Sequence, residues 1–242
     1  MEELTLVLLP GMDGTGDMFA PFVSAMGATC KTLCVRYPGD GDQGYEELET
    51  LVRSKLPQRG AYVVLGESFS GPIAAALTAA PPSGMVGAVL CCTFLRNPRP
   101  QLAVFSGLLR FAPLKAAPIA AMATVLLGPY STVAMRTALR RALAQVSNAS
   151  LQARLRAVVE VDARASLAVA KVPVLYLQAS QDYLLPASAG AEVKASLPAT
   201  TMLSIEGPHL LLQARPALAA AAIGEFMRSL ASVAIADKPS TR

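Results

Sequence analysis

The sequence predicts an α/β fold: a mainly parallel sheet of about six strands, helices on both faces, and a helical cap inserted after the fourth strand. Three observations carry this prediction. Short apolar runs alternate with helical stretches along the chain. The apolar runs are continuous rather than alternating, as strands covered on both faces require. The alternation breaks once, over about seventy residues from Leu95 to Arg164 that contain no convincing strand.

Strands are expected at Leu4–Leu9, Lys31–Tyr37, Ala61–Gly66, Val86–Thr93, Val172–Ala179 and Thr201–Glu206, each rich in Val, Leu, Ile or Cys. Between them, helices are expected at Asp17–Met26, Tyr45–Leu56, Phe69–Ala80, Ala187–Ser196 and Pro216–Ser232. A repeated βα unit implies right-handed crossovers and parallel pairing. The strandless stretch reads as four short helices, punctuated by Pro98, Pro100, Pro113, Pro118 and Pro129, with Ser131 and Ser150 as N-caps. Residues 1–94 and 165–242 then form the core. Residues 95–164 form a cap over the carboxyl edge of the sheet, where open α/β sheets bind ligands. The tail from about Ala234 is expected to fray.

Composition excludes several classes of function. The 242 residues are 53% hydrophobic and 16% charged, which fits a globular protein with a large core and not a disordered or coiled-coil chain. A net charge of +4 is too small for a nucleic-acid protein, and no such motif occurs. Met1-Glu2-Glu3 puts acidic residues where a secretory signal needs basic ones, so a cytoplasmic protein is expected. The uncharged run Ala116 to Met135 is long enough to span a bilayer, but Gly128-Pro129 divides it, and no membrane span is expected. Cys30 and Cys34 would lie about 13 Å apart on one strand face. Cys91 and Cys92 are adjacent and expected on opposite faces, so all four thiols read as reduced and buried. With one histidine and no CxxC, neither a metal site nor a cofactor is expected.

Chemistry enters at Gly66-Glu67-Ser68-Phe69-Ser70-Gly71, which follows an apolar strand and opens a helix. A serine there stands on a strained turn that needs small residues two before and two after it; Gly66 meets this fully and Ser70 nearly. Leu9-Pro10-Gly11-Met12-Asp13-Gly14-Thr15-Gly16 follows the first strand and can turn N–H groups inward, and it lacks a phosphate-loop lysine. Asp182 lies just past the fifth strand, and His209, the sole histidine, just past the sixth. Serine, acid and histidine thus each follow a different strand, in the chain order of the Ser-Asp-His triad.

On these residues the chain, from Leu4 to about Ser232, resembles the α/β-hydrolase superfamily, and within it the cap-bearing serine esterases. The resemblance implies Ser68 as nucleophile, His209 as general base, Asp182 as the residue orienting the imidazole, and the backbone N–H groups of Met12 and Phe69 as the oxyanion hole. Pro10 stands where many members carry a histidine, and Ser70 replaces the usual second glycine of the elbow. By the same resemblance the chain starts at the family's third strand. The implied activity is hydrolysis of carboxylic esters with small to medium acyl chains. An acyltransferase would use the same triad, and an inert receptor the same scaffold.

Charge is uneven: Arg96 to Arg164 hold ten basic and two acidic residues, against 11 basic and 15 acidic in the rest of the chain. The arginines either solvate the outer faces of apolar helices or dock an acidic partner. In the second reading, Arg136 and Arg140, four apart on one helix face, form the contact pair. The cap then resembles, more loosely, that of pimeloyl-[acyl-carrier protein] methyl ester esterases, whose substrate arrives on an acyl-carrier protein. Leu102, Val104, Phe105, Leu108, Leu109, Phe111, Met122, Val125 and Leu126 form a stripe at helical spacing that is first of all core, and some of them would line an apolar acyl pocket.

Overall fold

The computed structural model of the chain describes residues 4–101 and 114–236. The expected pocket residues from Leu102 to Phe111, and the tail 237–242, lie outside them. Six strands form one sheet: β1 (Thr5–Leu9), β2 (Lys31–Cys34), β3 (Tyr62–Glu67), β4 (Met85–Cys91), β5 (Val174–Ala179) and β6 (Thr201–Ile205). Their order is β2-β1-β3-β4-β5-β6 and every pairing is parallel.

Alternate residues of the inner strands feed two cores. Val7, Leu9, Tyr62 and Val64 pack against α2 (Tyr45–Lys55), α3 (Gly71–Ala79), α7 (Arg164–Ala168) and α8 (Ser188–Ser196). Leu6, Leu8, Val63 and Leu65 pack against α1 (Ala20–Met26), α9 (Leu211–Ala214) and α10 (Pro216–Ala236) on the other face. Burial on both faces holds for the inner strands only. β2 and β6 sit at the sheet edges, where Leu33 and Leu203 are exposed, because an edge strand has a neighbour on one side alone.

Several boundaries move for local reasons. β2 stops at Cys34 because the Tyr37 N–H leaves the sheet and donates to the Gly14 carbonyl at 2.8 Å. β4 stops at Cys91 because Cys92 takes a φ of 45°. That turn also overturns the expected orientation of the pair: both sulfurs enter the same core, 4.0 Å apart. None of the four cysteines is in a disulfide, and Cys34 is only partly buried.

Between β4 and α7 the described residues form α4 (Ile119–Leu127), α5 (Val133–Ala144) and α6 (Asn148–Glu160), with 3-10 turns at Leu114–Ala116 and at Gly128–Tyr130, where proline interrupts the apolar run. Among the described residues no helix is long and apolar enough to cross a membrane. The N-caps differ from those expected. Thr132, not Ser131, accepts the Met135 N–H, and Ser147 accepts the N–H of Ser150. The Ser150 hydroxyl instead reaches the Gly39 and Gly41 carbonyls, and pins α6 to the loop after β2. The ends of the inserted stretch meet where the Ala163 N–H donates to the Leu95 carbonyl at 2.7 Å, beside an antiparallel bridge between Arg96 and Asp162.

Candidate active site

Ser68 directly follows β3 with a φ of 50°, a left-handed backbone that a serine holds only when its surroundings fix it. Gly66 makes room for the turn, since a Cβ there would lie 2.6 Å from the Ser70 carbonyl oxygen. Thr93 Oγ1 donates to the Ser68 carbonyl, and the Tyr176 hydroxyl holds Thr93 in turn through its carbonyl at 2.8 Å. Ser70 is wholly buried and donates its hydroxyl proton to the Pro10 carbonyl. A hydroxyl has one proton, so Tyr37 is the donor to Ser70 Oγ at 2.6 Å. The two departures from the family pattern, Pro10 and Ser70, are therefore hydrogen-bonded to each other, and join the loop after β1 to the elbow.

The structure brings the three side chains predicted from sequence together. Ser68 Oγ lies 2.8 Å from His209 Nε2, and His209 Nδ1 lies 2.7 Å from Asp182 Oδ2. A carboxylate only accepts, so Nδ1 carries the proton and Nε2 presents its lone pair to the Ser68 hydroxyl. The second Asp182 oxygen accepts the N–H groups of Leu184 and Leu185, both at 2.8 Å. The loops carrying Asp182 and His209 are cross-linked by Gln181 N–H to the Gly207 carbonyl at 3.0 Å. The inserted helices hold the histidine loop from above, where Leu210 N–H donates to the Leu126 carbonyl at 3.0 Å. His209 is 1% exposed, so its ring is shielded from water.

Above Ser68 opens a cavity of about 370 Å³. Its walls are apolar and come from both core and inserted helices, including Met18, Met122, Leu126, Leu139 and Leu143. Val125, expected in this lining, points to solvent. Gly11 and Met12 edge the cavity beside Ser68 and His209. Phe69 enters the 3-10 turn directly after the serine, its ring stacked on Tyr45 with centroids 4.8 Å apart.

Three polar residues at the site were not anticipated. Glu67 is buried beneath the cavity, with one oxygen unpartnered and the other accepting from Gln213 at 3.4 Å. Burial pushes its carboxyl up to about 8; the Gln213 hydrogen bond opposes this and the Asp13 charge adds to it. Asp13 also lines the cavity, and burial raises it against hydrogen bonds from Thr15. Arg154 is fully buried; its Nη1 donates to the carbonyls of Met12 and Asp13 and its Nη2 to that of Pro38, while Nε has no partner. A signal for Arg154 existed: it shares a helix face with Leu151, Leu155 and Val158, so it sits on an apolar stripe.

The basic excess of the inserted stretch is partly consumed internally. Besides Arg154, Arg96 pairs with Glu192, Arg156 with Asp42 and Arg164 with Asp162. Arg136 is partly buried and donates to Ser131 Oγ at 3.0 Å, while Arg140 and Arg141 are exposed on α5. Among the described residues no cluster of His, Cys, Asp or Glu could hold a metal ion.

A six-stranded parallel sheet, a serine on a strained strand-to-helix turn, and acid and histidine at the ends of later strands define a class, and comparison with known proteins gives it a name. The chain belongs to the Alpha/beta hydrolase family, whose pattern it matches over residues 6–222. The fold is similar to that of an enol-lactonase from Burkholderia xenovorans LB400 (TM-score 0.78, 17% identity, 96% of this chain and 92% of that one). It is also similar to a hydrolase from Oleispira antarctica (TM-score 0.81, 15% identity, 94% and 92% covered) and to a malate-bound thermophilic esterase from Thermogutta terrifontis (TM-score 0.79, 16% identity, 95% and 91% covered). No curated protein matches the sequence.

Proposed function

We propose that the chain is a serine hydrolase that cleaves carboxylic esters of small to medium acyl chains through an acyl-serine intermediate. The observation that carries this reading is the unbroken relay from Asp182 through His209 to Ser68 Oγ at the floor of an apolar cavity of about 370 Å³. Esterase and lactonase activities named for structural neighbours are of the same acyl-transfer type.

In this reading the acyl chain occupies the cavity, and residues 95–164 act as a cap on a core of 1–94 and 165–242. Ser68 Oγ attacks the ester carbonyl carbon as His209 Nε2 takes its proton. The carbonyl oxygen becomes an oxyanion facing the N–H groups of Met12 and Phe69. Collapse breaks the bond to the alcohol, which leaves with the proton from His209. Water, losing a proton to the same nitrogen, then attacks the acyl-serine, and collapse returns Ser68 and the free acid. Asp182 holds the ring in its tautomer throughout. The test is turnover of p-nitrophenyl esters from acetate to decanoate by the wild type and by Ser68→Ala. The rate is expected to peak at a short to medium chain and to vanish in the variant; an unchanged Ser68→Ala would contradict the reading.

One observation favours a second substrate form, an ester or thioester borne on an acidic acyl-carrier protein. Exposed Arg140 and Arg141 lie on α5, the helix whose Leu139 and Leu143 line the cavity. A cationic surface beside the acyl pocket suits an acidic carrier.

A further inference from the structure

Five consecutive carbonyls in the loop after β1 are all engaged. Ser70 holds that of Pro10, the Gly14 N–H that of Gly11 at 3.0 Å, Arg154 those of Met12 at 2.8 Å and Asp13 at 3.1 Å, and the Tyr37 N–H that of Gly14 at 2.8 Å. The Gly11–Gly14 bond closes a four-residue turn whose two central residues are Met12 and Asp13. No peptide bond here is cis, so the Met12 N–H points opposite to the Gly11 carbonyl, out of the turn. How far that turn can rock depends on what grips its centre.

We propose that Arg154 is a positioning residue for the oxyanion hole: its guanidinium grips both central carbonyls of the turn and so keeps the Met12 N–H aimed at the carbonyl attacked by Ser68. The inference rests on the serine-hydrolase reading above. Arg154 reaches the loop from α6, with Nη2 anchored on the Pro38 carbonyl at 2.7 Å and the cation 5.7 Å from the centre of the Tyr37 ring. Gly14 leaves the space it needs, since a Cβ there would lie 2.7 Å from Nη1. Stability alone does not call for arginine here. Burying a cation against carbonyls costs more than burying the leucine its helix face otherwise carries. What arginine adds is a rigid planar fork that fixes several acceptors at once, which a lysine ammonium does not reproduce.

The test compares wild type, Arg154→Met, which keeps bulk without donors, and Arg154→Lys, which keeps charge without the fork. Each is measured for kcat and KM on a p-nitrophenyl ester and for inhibition by a trifluoromethyl ketone, whose adduct mimics the tetrahedral oxyanion. Active sites are counted with a fluorophosphonate, so that only folded enzyme enters kcat. Losing alignment of one oxyanion donor is expected to lower kcat about 10- to 100-fold in Arg154→Met, with KM within about twofold. Inhibition by the ketone should weaken in the same proportion, and Arg154→Lys should fall between. If Arg154→Met does not fold, Arg154→Lys carries the same readouts. An unchanged kcat per counted site in the variants that fold would overturn the inference and leave the hydrolase reading standing. A wild type inert to both ester and fluorophosphonate would remove that reading, and this inference with it.

Discussion

Glu67→Gln is expected to abolish a loss of stability that the wild-type chain suffers as pH rises. Glu67 is 3% exposed, meets one amide at 3.4 Å and leaves one oxygen without a partner. Burial pushes its carboxyl from 4.5 up to about 8. Below 4.5 folded and unfolded chains both hold the proton, and the neutral acid's contribution is fully present. Between 4.5 and about 8 the folded chain keeps a proton that the unfolded chain has released, so stability falls by about 1.4 kcal/mol per pH unit. The loss levels off above the folded value at a total of about 5 kcal/mol, a large part of a typical folding free energy. Glutamine keeps the shape and has no proton to lose. Urea unfolding of both proteins at pH 5, 6.5 and 8 reads the difference, which should shift in the variant's favour by about 3 to 4 kcal/mol across that span. Parallel pH profiles would refute the reasoning.

Asp182→Asn should lower kcat by about 10⁴ with the fold intact, because an amide facing Nδ1 stabilises the wrong imidazole tautomer; wild-type turnover in steady-state kinetics would contradict this. Reversing Arg140 and Arg141, the exposed pair on α5, together to Glu should slow hydrolysis of carrier-bound esters and leave small neutral esters nearly unchanged, and the wild-type rate on carrier-bound esters should drop with salt. Equal effects on both substrates would make the two arginines supports of the inserted helices.

The strands and the Ser68, Asp182, His209 set were legible because each is a local pattern: a continuous apolar run, then a chemistry-bearing residue immediately past its end. What local pattern cannot show is which partner a residue meets across the fold. Arg154 falls in the basic stretch that reads as either solvating or docking, although the apolar neighbours on its helix face mark it as inward. Ser70 looked like a compromised glycine because the Pro10 carbonyl it binds is 60 residues away. β2 and β6 carry apolar runs like the inner strands, and only the sheet order makes them edges. The caps of α5 and α6 were displaced to Thr132 and Ser147 because neighbouring serines and threonines compete for the same role, and tertiary contacts claim Ser150. Glu67 stands inside the elbow motif at the end of β3, and an acid closing an otherwise apolar strand has no water to ionise in.

Whether Ser68 attacks can be read in one experiment: the chain is incubated with a fluorophosphonate, digested, and the adduct mapped by mass spectrometry. The geometry predicts one adduct per chain, on Ser68, formed at least 10²-fold more slowly in His209→Ala, where no base takes the serine proton. An adduct on another residue, no adduct at all, or an unchanged rate in His209→Ala would contradict it.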